Sequence, residues 1–252
     1  MSLEGTPRRG SQRAWGVDQP TSSDRSRALH VDWRDSPDAT TRRGLVPLAR
    51  HHLPVVVTLL RELFPDNPLS CLGSSFVRQL LLSFVELPGG CGYVYLEDGV
   101  VAGFVVGSTN SRGHRYALLR RRWFALLWQT MRSVLVSPSR IRPLAQYLLS
   151  YVANGRSTGP RRDQFRSALP AASLVFLGVA PEYRRSGIAT ALVEAFLRRM
   201  SECGANGVKL AVASNNHGAV RFYLRQGWQV AGCYPSPMGG MAYRLVYDLR
   251  DR

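Results

Sequence analysis

Two apolar runs of strand length, each followed by an amphipathic helix, constrain the fold of the C-terminal part of this chain most strongly. The runs cover residues 173–180 and 208–213 and contain few polar residues, a pattern typical of strands that are buried on both faces. The helix signals cover residues 188–203 and 217–226, and a glycine follows each of them. The alternation of strand and helix therefore predicts a mixed α/β sheet.

Further strands and helices are predicted on both sides of this unit. The other strand candidates are residues 44–48, 91–97, 100–107, 228–234 and 241–249. The other helix candidates are residues 51–64 and 74–87, which carry apolar residues at helical spacing. Asp98 and Gly99 join the second and third strands and are a strong signal for a type I′ turn. The predicted fold is thus one sheet flanked by helices.

The positive charge of the chain is concentrated in one segment. The whole sequence has 33 Lys and Arg against 17 Asp and Glu, a net charge of +16. Residues 112–166 hold 12 basic residues against one acidic residue, which is +11 of that excess. This segment, at about residues 112–168, is predicted as a helical insertion between the third and fourth strands, with helices at 115–136 and 141–152.

The sequence leaves three interpretations of the basic insertion open. Its helices could pack on the core with solvated arginines, form the wall of a site for an anionic or bulky acceptor, or lie on a membrane surface through residues 115–152. Binding of nucleic acid is not predicted, because the chain has no recognition motif beyond its charge.

Composition and targeting signals bound the rest of the chain. Residues 1–43 have little periodic apolar content and are predicted as a disordered or loosely ordered arm before one domain at residues 44–252. No apolar run has the length of a membrane span and no secretory signal is found, so we expect a cytoplasmic protein, with attachment to a membrane surface as an alternative. The four cysteines form no CxxC pair, and no metal site is predicted. Cys203 and Cys233 are expected to be packing residues.

The turn between the fourth strand and the next helix has the composition of an anion site. The N-terminus of a helix presents unpaired backbone N–H groups and the positive end of the helix dipole. Gly187 and Ala189 leave the backbone accessible to a phosphate, and Arg184 and Arg185 add positive charge at the rim. The spacing fits neither the Walker loop nor the glycine fingerprint of dinucleotide-binding folds. The turn is therefore predicted to hold a pyrophosphate.

Two motifs in this region point to a family. The pattern Arg184-x-x-Gly187-x-Ala189 resembles motif A of the GNAT superfamily of N-acetyltransferases, and the stretch from Asn216 to Trp228 resembles its motif B. The distance between the motifs and the surrounding order of elements match as well. The resemblance implies a mostly antiparallel, mixed α/β sheet of the GNAT type.

The resemblance implies that acetyl-CoA is a co-substrate. The residues that it assigns to acetyl-CoA are Leu177, Gly178, Val179, Arg184, Arg185, Ser186, Gly187, Ile188, Ala189, Thr190 and Asn216. The backbone of residues 177–179 is implied to pair with the pantetheine arm and to donate an N–H to the thioester carbonyl, while the N–H groups of residues 185–190 hold the pyrophosphate. Asn216 is implied to contact the pantetheine or the thioester, and the alternative is that it caps its own helix.

The resemblance also implies the chemical step, a direct attack of an amine on acetyl-CoA in a ternary complex. Tyr223 is implied to protonate the departing thiolate as a general acid, whereas Phe222 is the expected packing residue. Asn216 and Tyr223 are two helical turns apart, so both are expected on one face. No spacing compels a general base, and the candidates are Glu86, Glu97, Asp98, His114 and Glu182.

Two functions follow from the sequence. The first is an acetyl-CoA-dependent N-acetyltransferase that acts on a primary amine of a small molecule. An amino sugar, a nucleotide-linked sugar or another anionic amine is among the candidate acceptors. The alternative is a non-catalytic acyl-CoA-binding sensor or adaptor whose basic insertion contacts a partner or a membrane surface. The pair of motifs and the presence of Tyr223 favour the enzyme, and both a monomer and a homodimer are compatible with the sequence.

Overall fold

Seven β-strands and four α-helices make up the part of the chain that the structure describes. The structure is a computed structural model, and it describes residues 43–65, 67, 73–111, 113–114, 172–236 and 240–250. The strands are β1 (Gly44–Pro47), β2 (Gly90–Glu97), β3 (Val100–Ser108), β4 (Ala172–Val179), β5 (Gly207–Ala213), β6 (Gln229–Pro235) and β7 (Met241–Asp248). The helices are α1 (Leu53–Leu63), α2 (Ser74–Glu86), α3 (Ile188–Glu202) and α4 (His217–Arg225).

These elements confirm the order that the sequence predicts, with small shifts at their ends. The first helix starts later than expected, because a short 3-10 helix, Arg50–His52, precedes it. Pro54 lies in the first turn of α1. A backbone N–H at this position would have no acceptor within the helix, so proline costs no helical hydrogen bond. Asp98 and Gly99 have φ angles of 50° and 78°, which confirms the type I′ turn between β2 and β3.

One mixed sheet contains all seven of these strands, in the order β1-β2-β3-β4-β5-β7-β6. Every neighbouring pair is antiparallel except β4 and β5, which are parallel. The pairing of β4 with β5 is confined to Ala172 with Val208 and Ser173 with Lys209. Beyond these residues no ladder joins the two strands, and the sheet is open along a cleft. The predicted mixed, mostly antiparallel sheet flanked by helices is confirmed.

Helices pack on both faces of the sheet and bury two apolar clusters. On one face, α1 and α2 cover β2, β3 and β4, and Leu53, Leu60 and Leu81 are fully buried there. On the other face, α3 and α4 pack on the sheet around Phe196 and Trp228. Each large apolar side chain that is removed from water contributes roughly 1.5–3 kcal/mol to the free energy of unfolding. The open cleft therefore lies in a sheet that is held rigidly by packing.

Gly107 on β3 allows a close approach of three elements. A Cβ atom at this position would overlap the backbone oxygen of Ser173 on β4 and would lie 2.5 Å from Cζ of the Phe196 ring on α3. The absence of a side chain thus lets α3 pack directly on the junction of β3 and β4.

The expected burial of β4 on both faces is wrong in part. Leu174 and Phe176 are buried, but Val175 between them is 42% exposed. The register of the ladder explains the difference, since Phe176 lies opposite Val106 and Leu174 lies opposite Gly107. Val175 is therefore the extra residue of a β-bulge, and it has no partner on β3.

The expectation that Cys203 and Cys233 are packing residues is also wrong, since both are exposed. Cys203 is the C-cap of α3 and lies beyond its last turn. Cys233 lies on β6, the last strand of the sheet in the described part of the chain.

Some predictions fall outside the described residues. These are the arm at residues 1–43, of which the structure describes only Arg43, and the basic insertion at about residues 112–168 with its helices at 115–136 and 141–152. Within the described ranges, no helix combines the length and the apolar character that a membrane crossing requires.

We expect Gly107→Ala to lower the free energy of unfolding by about 1–3 kcal/mol, because the added methyl group overpacks the contact with Ser173 and Phe196. Gly218→Ala is the matched control, since a Cβ there meets only Oδ1 of Asn216, at 3.8 Å, and alanine favours a helix by roughly 0.5–1 kcal/mol over glycine. Urea denaturation measures both variants. Equal stabilities would contradict the close packing at Gly107.

Candidate active site

The end of β4 presents backbone groups that no neighbouring strand binds. The N–H of Ala180 donates to the carbonyl of Ala102 at 2.9 Å. Because bonded and non-bonded pairs alternate in an antiparallel ladder, the N–H and C=O groups of Leu177 and Val179 point away from β3. They point toward β5, whose pairing with β4 has already ended. Two of the three residues predicted for the pantetheine arm therefore offer backbone N–H groups to the cleft.

Gly178, the third of these residues, has a different role in the fold. It lies opposite Phe104 in the ladder, so the same alternation directs its backbone groups toward β3. A Cβ atom on Gly178 would lie 2.7 Å from Cδ1 of Leu63 and 2.8 Å from Cε1 of Phe104. A glycine at this position allows α1 to pack closely on β4.

The turn after β4 gathers backbone N–H groups around one open space. Arg185 and Gly187 have positive φ angles of 65° and 86°. Left-handed residues within a turn direct successive N–H groups to one side, which is how backbone nests bind anions. The Ser186 hydroxyl, which donates to the carbonyl of Tyr183 at 2.6 Å, holds the turn in this conformation.

The first turn of α3 adds further unpaired donors to this space. Its N-cap is Gly187, and no side chain of the described residues caps the helix. The N–H of Ala191 donates to Gly187, so the N–H groups of Ile188, Ala189 and Thr190 precede the first helical bond and have no partner in the helix. A Cβ atom on Gly187 would meet nothing within 4 Å. Unpaired donors, the positive end of the dipole and open space fit a phosphate or a pyrophosphate.

Two arginines lie at the rim of this space, as the sequence predicts. Arg184 and Arg185 are both exposed. Nε of Arg184 donates to the carbonyl of Val179 at 3.4 Å and so connects the turn to the cleft. The positive charge of both side chains adds to the field of the helix N-terminus.

Asn216 caps α4, as the alternative in the sequence analysis has it. Its Oδ1 accepts the N–H of Ala219 at 3.0 Å, and its φ and ψ angles of −84° and 68° place it outside the helix. The argument that Asn216 and Tyr223 share one helical face is therefore wrong in its premise, because Asn216 precedes the helix. A contact of its side-chain nitrogen with acetyl-CoA is compatible with the cap and stays a prediction.

Tyr223 is the most deeply buried side chain of α4. It is 6% exposed, and its ring contacts those of Phe222 and Trp228 with centroid distances of 5.1 and 5.5 Å. Phe222 is the less buried of the two neighbours, contrary to the expectation from the sequence. Burial raises the pKa of the Tyr223 hydroxyl, because the charged phenolate is poorly solvated there. The Tyr223 hydroxyl is therefore neutral at pH 7, and its role as an acid stays a prediction.

A hydrogen bond that the motifs do not reveal joins α4 to α3. Nε2 of Gln226, directly after α4, donates to Oγ1 of Thr190 at 2.9 Å. Thr190 belongs to the first turn of α3, and Gln226 follows Tyr223 by three residues. This bond fixes the helix that carries Tyr223 against the anion-binding turn. The two residues are 36 positions apart in the chain, and no local sequence signal connects them.

The acidic candidates for a general base are not singled out by their geometry. Two of them form ion pairs, Glu97 with Arg43 at 3.0 Å and Glu86 with Arg50 at 2.6 Å. Asp98 is required by the turn between β2 and β3, and Glu182 is exposed on the short 3-10 helix Pro181–Tyr183.

His114, the remaining candidate base, joins the segment after β3 to α2. Its Nε2 lies 3.1 Å from Oγ of Ser83, and its ring stacks on Phe84 at 4.7 Å between centroids. Because the Ser83 hydroxyl donates its hydrogen to the carbonyl of Leu80, Ser83 Oγ accepts a hydrogen bond from Nε2–H of His114. Burial lowers the pKa of His114, an effect that the carbonyl of Pro88 opposes in part. These contacts hold His114 against α2, and its role as a base stays a prediction.

Residues 155–228 match the model of the acetyltransferase (GNAT) family. The matched range includes β4, the anion-binding turn, α3, β5 and α4. No curated protein matches the chain.

Several solved structures share the fold. Polyamine N-acetyltransferase from Drosophila melanogaster is 19% identical with a TM-score of 0.55, over 82% of this chain and 100% of that chain. Ard1 from Thermoplasma volcanium is 18% identical with a TM-score of 0.51, over 82% and 98%. A chain of the NatC complex bound to a Gag peptide and CoA is 14% identical with a TM-score of 0.50, over 83% and 99%. The solved structures match this chain in fold, and the family model matches residues 155–228 in sequence, so the comparisons confirm the resemblance to the GNAT superfamily seen in the motifs.

Proposed function

We propose that this protein is an acetyl-CoA-dependent N-acetyltransferase that acts on a primary amine of a small molecule. The observation that carries the proposal is the continuity of the cleft with the turn that follows β4. Unpaired N–H groups at Leu177 and Val179 lead directly to the nest at Arg185 and Gly187. This is one path for an extended ligand that ends in a pyrophosphate. The CoA in the NatC structure, which shares the fold, is consistent with acetyl-CoA as that ligand.

Each part of the path has a role in binding acetyl-CoA. The turn and the first N–H groups of α3 would hold the pyrophosphate, with Arg184 and Arg185 beside it. The N–H groups of Leu177 and Val179 would hold the pantetheine arm as a neighbouring strand does. One of these two N–H groups would also donate to the thioester carbonyl oxygen, on which negative charge develops during the reaction.

The chemical step is direct acyl transfer to the amine. The amine nitrogen attacks the carbonyl carbon, a C–N bond forms and the C–S bond breaks. The Tyr223 hydroxyl gives its proton to the departing sulfur, and the surplus proton of the amine leaves to water, which restores the tyrosine. Burial raises the pKa of Tyr223, so the hydroxyl carries the proton that this step requires, although it is a weaker acid than an exposed tyrosine.

The fold does not identify which small-molecule primary amine is the acceptor. The solved neighbours include a polyamine acetyltransferase and a complex bound to a peptide, so one fold serves unlike amines. An amino sugar or a nucleotide-linked sugar is compatible with the site.

We expect Tyr223→Phe to lower kcat by about 10²- to 10⁴-fold, which is the range for loss of a general acid, while the Kd for acetyl-CoA changes little. The kcat falls because the substitution removes the hydroxyl that would donate the proton. The Kd is retained because the aromatic ring stays in place. Mass spectrometry of products from a panel of primary amines measures transfer, and calorimetry measures binding of acetyl-CoA.

Tyr247→Phe is the matched control, because its ring also packs on Trp228, at 5.5 Å between centroids, and it has no role in the proposed step. A kcat for Tyr223→Phe equal to that of the control would contradict the assignment of the acid. Binding of acetyl-CoA without transfer to any amine of the panel would instead favour the sensor or adaptor.

The pH dependence tests the same assignment. The attacking amine must be neutral, so kcat/KM for the acceptor should rise with pH toward the pKa of the amine, near about 10 for an alkyl amine. Tyr223 must stay protonated, and its raised pKa moves any loss of activity from its ionisation above about pH 10, the usual value for tyrosine. If activity instead decreases as the pH is raised from 8 to about 9, and this decrease is absent in Tyr223→Phe, the raised pKa of Tyr223 is contradicted.

A further inference from the structure

One face of the sheet beside the cleft is not covered by a helix of the described residues. The side chains of Leu210, Val212 and Leu245 enter the core beneath α3 and α4. Because side chains alternate along a strand, Ala211 of β5 and Arg244 of β7 point to the opposite face. Helices α1 and α2 pack over β2, β3 and β4 and not over this part of the sheet. We call the surface formed by Ala211, Ala213, Gly232, Tyr234 and Arg244 the open face.

The open face has a shallow floor with one large cation. Ala211 and Ala213 are small and exposed. Gly232 of β6 lies directly opposite Arg244 in the ladder, and a Cβ atom on it would meet nothing within 4 Å. The guanidinium of Arg244 therefore borders open space on the side of Gly232.

Arg244 is held in place by an aromatic ring. Its Cζ lies 4.8 Å from the centroid of the Tyr234 ring, and the side chain is half-buried. A guanidinium that stacks on a ring keeps the N–H groups at its edge for other partners. Those N–H groups form a planar fork that matches a carboxylate or a phosphate.

The charge of Arg244 has no counter-charge among the described residues. The ion pairs there involve other side chains, and Arg244 makes no hydrogen bond to a described residue. Burial raises the pKa of Tyr234 despite the nearby guanidinium, so Tyr234 is neutral at pH 7 and does not balance the charge. A half-buried cation without a counter-charge favours the binding of an anion.

The position of Arg244 relates this cation to the cleft. Lys209 is the last residue of β5 that pairs with β4, and Ala211 is the next residue of β5 on the same face. Arg244 lies opposite Ala211 in the ladder of β5 and β7, one strand spacing of about 5 Å from the strand that borders the cleft. In the described part of the chain, α3, α4 and Tyr223 occupy the other face, which leaves the open face available to a second substrate.

We propose that Arg244, stacked on Tyr234, binds an anionic group of the acceptor, so that the acceptor is a small amine that carries a carboxylate or a phosphate. This inference rests on the proposed function, since it gives the acceptor of that reaction a chemical class. The anion would lie on the open face beside Gly232, and the amine would reach the cleft past Ala211.

The test compares acceptors that differ only in the anionic group. Two matched pairs are glycine with glycinamide and ethanolamine phosphate with ethanolamine. We expect the wild type to have the higher kcat/KM for the anionic member of at least one pair. Arg244→Gln should remove that preference by raising KM about 10- to 100-fold for the anionic member, and the KM values for its neutral counterpart and for acetyl-CoA should not change.

Two further variants separate this role from general effects. Arg198→Gln removes one exposed positive charge from α3, on the other face, and should leave the preference unchanged. Arg244→Lys keeps the charge without the planar fork and should retain part of the preference. The thermal midpoint of each variant shows whether it is folded.

Equilibrium binding makes the result independent of turnover. Calorimetry of the CoA-bound protein with the same pairs should show tighter binding of an anionic member in the wild type than in Arg244→Gln. Arg244-dependent binding without acetyl transfer would leave the anion site standing and overturn the proposed enzyme. Equal binding of both members by the wild type, or equal losses for both members in Arg244→Gln, would overturn the anion site.

Discussion

The early end of the pairing between β4 and β5 is the constraint on which the rest of the site depends. Only Ala172 and Ser173 of β4 pair with β5, and the bulge at Val175 in the ladder of β4 with β3 follows directly. An opening inside a sheet leaves backbone groups unpaired, which is costly unless water or a ligand binds them. Packing of α1 and α3 on the flanking strands maintains the opening. The backbone groups of Leu177 and Val179 are therefore ready for a ligand before it arrives, and they need no rearrangement to bind it.

The parallel direction of β4 and β5 brings two helix N-termini to one end of the sheet. A turn leads from each strand to its helix, so α3 and α4 both begin at the end of the sheet where β4 and β5 no longer pair. Their different starts explain their different roles: Gly187 leaves the N-terminus of α3 open, whereas Asn216 closes that of α4 with its own side chain. The bond from Gln226 to Thr190 then ties the far end of α4 to the open turn. Buried Tyr223 and the turn after β4 are thus parts of one packed unit.

The sequence predicts local features of this fold well and long-range features poorly. Periodicity and glycine positions predict each described helix, and Asp98 with Gly99 predicts the tight turn, because these signals depend on neighbouring residues. The bulge at Val175 arises because β4 has one residue more than the matching stretch of β3. The apolar run of β4 alone does not reveal this difference. The contact of Gln226 with Thr190 joins positions 36 apart. In the sequence, Arg244 is an ordinary strand residue. Only the register of β7 with β5 and β6 shows which residues lie beside it.

In the described part of the site, arginines lie along the proposed reaction path, whereas the nearby carboxylates are ion-paired. Positive charge lies at both ends of the proposed reaction path, at Arg184 and Arg185 for the pyrophosphate and at Arg244 for the acceptor, while Tyr223 between them is neutral. The carboxylates Glu86 and Glu97 are bound to arginines of their own. A carboxylate beside the amine would stabilise its ammonium form, and cations nearby favour loss of the proton. In the proposed reaction, for which the described residues single out no carboxylate as a base, this field would favour the neutral form of the attacking amine.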